Sequence, residues 1–175
     1  VRRAVREFGY LDILVNNAAY QMSHEGLADL PSDEIERTFR TNILAMFYLS
    51  KAALPQLRPG GAIINTASIQ AYQPSPSLLA YAATKGAIVT FTKGLAQDAI
   101  KRGVRVNAVA PGPVWTPLIV ATMPPEKHTT FGQDSIFARP AQPAELAPSY
   151  VFLASDEARY ITGEILGVTG GQPIP

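Results

Sequence analysis

Four short apolar runs alternate along the chain with stretches of helical spacing, and this alternation limits the fold more sharply than anything else in the sequence. The runs are LDILV (residues 11–15), AIINTAS (62–68), VRVNAVA (104–110) and EILGVTGG (164–171). A short, nearly continuous apolar run is what a strand covered on both faces requires. The intervening stretches are helical in pattern. In one, Ser32 is a candidate cap, Asp33 and Glu34 follow it, and Ile35, Phe39, Ile43, Met46, Phe47 and Leu49 fall near one side. This segment is expected to run to about Leu57, where Pro55 and RPGG supply the stop and turn. A second runs from about Ser77 to Arg102, ended by Gly103, and a third has Pro143 near its first turn. Val1, Val5 and Phe8 share helical spacing before a stop at Gly9, so the sequence opens inside an element. Such alternation predicts an α/β doubly wound fold, a parallel sheet in the middle of three layers.

The 175 residues are 47% hydrophobic and 17% charged, which suits one domain covering residues 1–175. A net charge of +1 offers neither nucleic acid nor a membrane surface the basic patch it selects. No apolar run reaches the ~18 residues of a membrane span, and no signal pattern opens the chain, so the cytosol (a cytoplasmic protein) is the default. Without cysteine there is no disulfide or thiolate site. His24 and His128 lack a ligand spacing and are expected as solvent-exposed loop residues, with no metal site. Trp115 to Pro140 holds four prolines and weak periodicity, and is expected as a mobile flap. Met123 and Phe131 within it suit a substrate pocket or loose packing equally.

In a parallel sheet, ligands bind beyond the carboxyl ends of the strands. Here those ends carry NNAA, NTAS and APGPVWT. Close to them in the sequence, Tyr81 and Lys85 stand four residues apart and share a helix face. A free phenol titrates near 10, and an ammonium beside it stabilises the phenolate and lowers that value. Ser68, at the mouth of a strand, can hydrogen-bond an oxygen held near the phenol, and Asn42 offers an amide and a possible break in helical bonding. Together these polarise a carbonyl and deliver a proton to its oxygen, which is half of a carbonyl reduction.

Ser68, Tyr81 and Lys85, with NNAA at 16–19, Asn42 in RTNILAMF, NAVAPGPVWTP and YITGEILGVTGG, resemble the short-chain dehydrogenase/reductase family, and most closely its bacterial members of the glucose- and ribitol-dehydrogenase kind. The resemblance implies a Rossmann-type sheet and an NAD(P)-dependent oxidoreductase interconverting an alcohol and a carbonyl. In that scheme Tyr81 is the general acid and base, and Lys85 lowers its pKa and holds the nicotinamide ribose. Ser68 positions the substrate, and Asn42 supports a proton-relay water. Asn16 and the backbone near Ala18 lie along the ribose, Pro111 and Gly112 approach the nicotinamide, and Val114 and Thr116 bind its carboxamide. It further implies NAD or NADP as cofactor, a small-molecule substrate, and a homo-oligomer (dimer or tetramer) built on its long helices, where Ile88, Phe91 and Leu95 are apolar. The family's glycine-rich phosphate turn has no counterpart here: RPGG precedes a strand, and no helix follows VTGG. The expectation is an incomplete fold lacking the first three strand–helix units, roughly 90 residues, with little cofactor binding by these 175 residues alone. An inactive remnant acting as an oligomerisation or regulatory partner is the alternative.

Overall fold

In the computed structural model, which describes residues 1–174, four parallel strands form one sheet in the order β1 (Leu11–Asn16), β2 (Leu57–Thr66), β3 (Arg105–Pro111) and β4 (Ile165–Val168). Helix α1 (Arg2–Phe8) precedes β1 and ends at Gly9, whose φ of 84° is the left-handed conformation of a helix stop. Helix α2 (Ser32–Phe39) continues through a π-helical turn (Arg40–Leu44) into α3 (Ala45–Ala53). The long α4 (Leu79–Ala99) lies between β2 and β3 in the chain. The short α5 (Pro117–Thr122) and α6 (Pro143–Ala154) separate β3 from β4. The α/β expectation holds, with helices on both faces. On one face Ile63, Val106 and Ala108 meet Ile88 and Ala96 of α4 together with Ile43 and Met46. On the other, Ile64 and Val109 meet Tyr150 and Leu153 of α6.

Several expectations need correction. The RPGG stretch is not a turn ahead of β2 but lies inside it. Leu57 pairs with Leu11 and Ala62 with Ile13, so the residues between bulge out of register. A side chain at Gly61 would meet the Arg58 and Asp12 carbonyl oxygens at 2.8 Å, which is why glycine sits there. Ser32 is the first helical residue rather than the cap, because Pro31 holds the extended cap position. Of the expected apolar stripe only Ile43 and Met46 are buried, while Phe39, Phe47 and Leu49 remain exposed. The run in β1 is not buried on both faces, since Ile13 and Val15 are 43% and 44% exposed. The flap contains α5 and a local cluster in which Trp115 packs edge-on to His128 at 5.8 Å and near Phe131 at 6.1 Å. Both histidines are half-buried rather than exposed, and His128 Nε2 lies 3.1 Å from the Met123 carbonyl. Among the described residues no helix is long and apolar enough to cross a membrane.

Candidate active site

The carboxyl ends of β1, β2 and β3 meet the first turns of α4, and this corner gathers the candidate catalytic side chains. Lys85 is 2% exposed, and its Nζ donates to the Thr66 carbonyl at 2.7 Å. Among the described residues it makes no ion pair. Removal from water penalises the ammonium and lowers its pKa to about 7. Tyr81 lies one turn back, its ring centroid 5.2 Å from Lys85 Nζ. Burial raises the phenol to about 12; the Ser68 hydroxyl pulls the other way as a hydrogen-bond partner, and Tyr150 adds to the rise. The expected lowering of the phenol by Lys85 is therefore reversed. For both groups desolvation is the largest influence, and it favours the neutral form of each.

Ser68 follows β2 and caps the turn Ile69–Ala71, its Oγ accepting from the Gln70 amide at 3.1 Å. That contact uses the oxygen as an acceptor and leaves the hydroxyl hydrogen to donate. Asn42 sits within the π-helical turn, so the expected break in helical bonding is present. Its amide clamps the loop after β1, accepting from the Tyr20 amide at 2.7 Å and donating to the Tyr20 carbonyl at 2.9 Å. It also donates to Thr84 Oγ1 at 3.0 Å, and Thr84 in turn donates to the Tyr81 carbonyl at 2.6 Å. The Asn42 side chain thus fixes the helical turn that carries Tyr81.

The expected cofactor positions divide. Asn16 points into the protein, donating to Asn65 Oδ1 at 2.8 Å and Ser50 Oγ at 3.1 Å, so its amide joins sheet to helix instead of facing outward. Ala18 is exposed on the loop after β1. Pro111 ends β3, Val114 forms an isolated bridge with Ala141, and Thr116 holds the cap position before α5, all half-buried along the same rim. A Cβ at Gly112 would lie 2.5 Å from the Thr169 carbonyl oxygen, so the turn after β4 itself requires glycine there. Two residues of this corner escape sequence reasoning. Thr66 and Tyr150 share a 2.8 Å hydrogen bond, and their only sequence signals are a threonine two places before Ser68 and an aromatic residue in an apolar helix.

The donor set suits the nicotinamide–ribose end of a dinucleotide. Lys85 has ammonium hydrogens beyond the one given to Thr66, and Tyr81, Ser68 and the rim from Pro111 to Thr116 surround the same corner. Gly60 and Gly61 lie within β2, so they do not form the glycine-rich turn between a strand and a helix N-terminus that cradles a pyrophosphate. The better enclosed hollow lies away from Tyr81, between Pro113, Phe137, Arg139 and Thr169.

A family model described as enoyl-(acyl carrier protein) reductase matches residues 1–172. General stress protein 39 of Bacillus subtilis is 54% identical over 171 residues, covering 98% of this chain and 60% of the relative. A glucose and ribitol dehydrogenase homolog of Oryza sativa is 52% identical, covering 93% of this chain and 57% of the relative. The chain therefore spans about 60% of the length of the curated relatives it matches. A 3-ketoacyl-(acyl-carrier-protein) reductase of Brucella melitensis, solved in complex with NADH, superposes with a TM-score of 0.89 at 32% identity, over 99% of this chain and 72% of that one. With a family model spanning nearly every residue and a Rossmann-type neighbour over the whole sheet, the chain belongs to the short-chain dehydrogenase/reductase family.

Proposed function

We propose that this corner performs the proton half of an NAD(P)-dependent interconversion of an alcohol and a carbonyl compound, with Tyr81 as the acid and base. The observation that carries the reading is Lys85, buried 5.2 Å from the ring centroid of the half-buried Tyr81, with Ser68 at the mouth of the adjoining strand. A phenol held up to about 12 is protonated at neutral pH and a weak acid, so it gives up its proton only if its neighbours stabilise the phenolate. Ser68 donates its hydroxyl hydrogen to the substrate oxygen and holds it within reach of the phenol. Lys85, anchored on the Thr66 carbonyl, would hold the nicotinamide ribose with its remaining hydrogens and stabilise the phenolate as it forms. Asn42 keeps the turn of Tyr81 in place through Thr84. The nicotinamide, when bound, supplies or accepts the hydride. Pro111 and Gly112 would lie against the nicotinamide, and Val114 and Thr116 would hold its carboxamide.

A small ketone or aldehyde suits the site, and the Brucella neighbour, by its name, reduces a ketone. Exposed Leu44, Phe47 and Tyr48 support a homo-oligomer through the α3–α4 side. Of the expected interface residues, Ile88 is core, and the ring of Phe91 packs 4.4 Å from that of Phe47. The test is turnover of NADH and NADPH with a panel of aldehydes and ketones. Made in the full-length enzyme, Tyr81→Phe should lose activity by at least ~100-fold while binding the dinucleotide as the unsubstituted enzyme does. Undiminished turnover in that variant would refute the assignment.

A further inference from the structure

Thr66 stands where helices from the two faces of the sheet meet. The Ala67 amide donates to the Val109 carbonyl at 2.8 Å, towards β3. The Thr66 carbonyl belongs to the same peptide and so points the opposite way, towards β1. The last rung between β1 and β2 is Asn16 with Asn65, so this carbonyl lies past the end of β1 and has no strand partner. Lys85, arriving from α4, fills that vacancy at 2.7 Å. The Thr66 side chain faces the other side of the sheet. Its hydroxyl has one hydrogen, which goes to Asn17 Oδ1 at 2.9 Å. The Tyr150 hydroxyl, 2.8 Å away on α6, must therefore be the donor to Thr66 Oγ1. The hydrogen and one lone pair of this hydroxyl thus hold the residue whose carbonyl binds the lysine.

We infer that Tyr150 is a positioning residue of the site: by donating to Thr66 it fixes the carbonyl that anchors Lys85, coupling α6 on one face to the catalytic helix on the other. The inference rests on reading Lys85 as part of the site. The titratable group beside Lys85 is Tyr81 on its own helix; Tyr150 is linked to Lys85 through Thr66 and adds to the rise in the Tyr81 pKa. An ordered acceptor favours the ammonium, so loosening it should make Lys85 lose its proton at lower pH.

The experiment is a pH titration of the full chain with isotopically labelled lysine, followed by NMR; the Lys85 side-chain signal is the one missing in Lys85→Met. Tyr150→Phe should lower the Lys85 midpoint by about 0.5 pH unit. Thr66→Val should do the same, and Thr66→Ser, which keeps the hydroxyl, should titrate like the parent. A folded Tyr150→Phe with an unchanged or raised midpoint overturns the inference. If Tyr150→Phe fails to fold, equal midpoints in Thr66→Val and Thr66→Ser overturn it instead. No turnover is needed, so the two readings fail separately. A chain that reduces no carbonyl but shows the shift loses the proposed activity and keeps the coupling; an active enzyme without the shift does the reverse.

Discussion

Strands β1 and β3 treat polar and apolar residues in opposite ways. On β3, Arg105 and Asn107 are 6% and 1% exposed, while on β1, Ile13 and Val15 are nearly half exposed. Val15, Ile64 and Asn107 lie on one rung of the sheet, so the exchange takes place on one face within two strand spacings. What differs is the layer above. Over β3 lies α6, whose C-terminal carbonyls of Leu153 and Ser155 accept from the Arg105 guanidinium at 2.7 and 3.1 Å. The Asn107 amide donates to the Ile161 carbonyl at 2.9 Å. Burial lowers the Arg105 pKa, and nearby Asp156 acts against that loss. Over β1, Ile13 and Val15 are left open to solvent on this face. An apolar run in the sequence therefore records what a strand is able to bury, and the neighbouring helix decides whether it does.

Removing the side chain that ties β3 to α6 should have the largest effect. Arg105→Ala leaves two helix-terminal carbonyls without their charged donor and opens a cavity beneath α6. The expected loss is about 3 kcal/mol in a urea unfolding curve. A loss under 1 kcal/mol would show that water replaces the guanidinium freely and that this side of β3 is wetter than its burial implies. Next comes Val109→Thr, at a position that is 0% exposed. The shape is kept while a hydroxyl is buried in the cluster with Ile64 and Leu153, costing about 2 kcal/mol.

All four strands were legible because each run is short, apolar and flanked by residues that break it. The start of β2 was not, because proline and paired glycines serve a bulge and a turn equally well, and only the neighbouring strand distinguishes them. The stripe from Ile35 to Leu49 was over-read for the same reason that β1 was: periodicity defines a face, and coverage depends on what packs against it. At the candidate site, spacing paired Tyr81 with Lys85, the strand end brought in Ser68, and the resemblance supplied the roles proposed for them. The direction of the Tyr81 shift was missed because a neighbouring charge is visible in sequence and desolvation is not. Thr66 and Tyr150 were hidden because their contact spans 84 positions, and Asn16 because its side chain turns inward.

The site corner extends the contrast between strands to charge. Lys85 titrates at about 7 in the folded chain against an ordinary 10.5, so the unfolded chain binds more protons between those values. Stability should therefore rise with pH across that window, by about 1 kcal/mol between pH 7 and 8. This contribution is complete above about 10.5 and is lost as pH falls through 7. Tyr81 has the opposite sign: its stabilisation is present below 10.0 and is lost as pH rises through about 12. Urea midpoints of the parent and Lys85→Met at pH 7 and 8 isolate the lysine, since the variant should lose the rise. A parallel rise in both proteins would trace the effect to another group.

The smallest effect should come from Val15→Thr, the same substitution as at Val109, made on the same face two strands away. At 44% exposure the new hydroxyl can reach water, and threonine suits a strand as well as valine does. The change in stability should stay within about 0.5 kcal/mol. Exposed apolar side chains beside a sheet edge also invite association, so the threonine variant should stay monodisperse to higher concentration than the parent in light scattering. If Val15→Thr instead costs as much as Val109→Thr, and the cost grows with protein concentration, then Val15 is covered in solution by another copy of the chain. The difference between β1 and β3 would then lie in which molecule supplies the covering layer, because both strands would be buried.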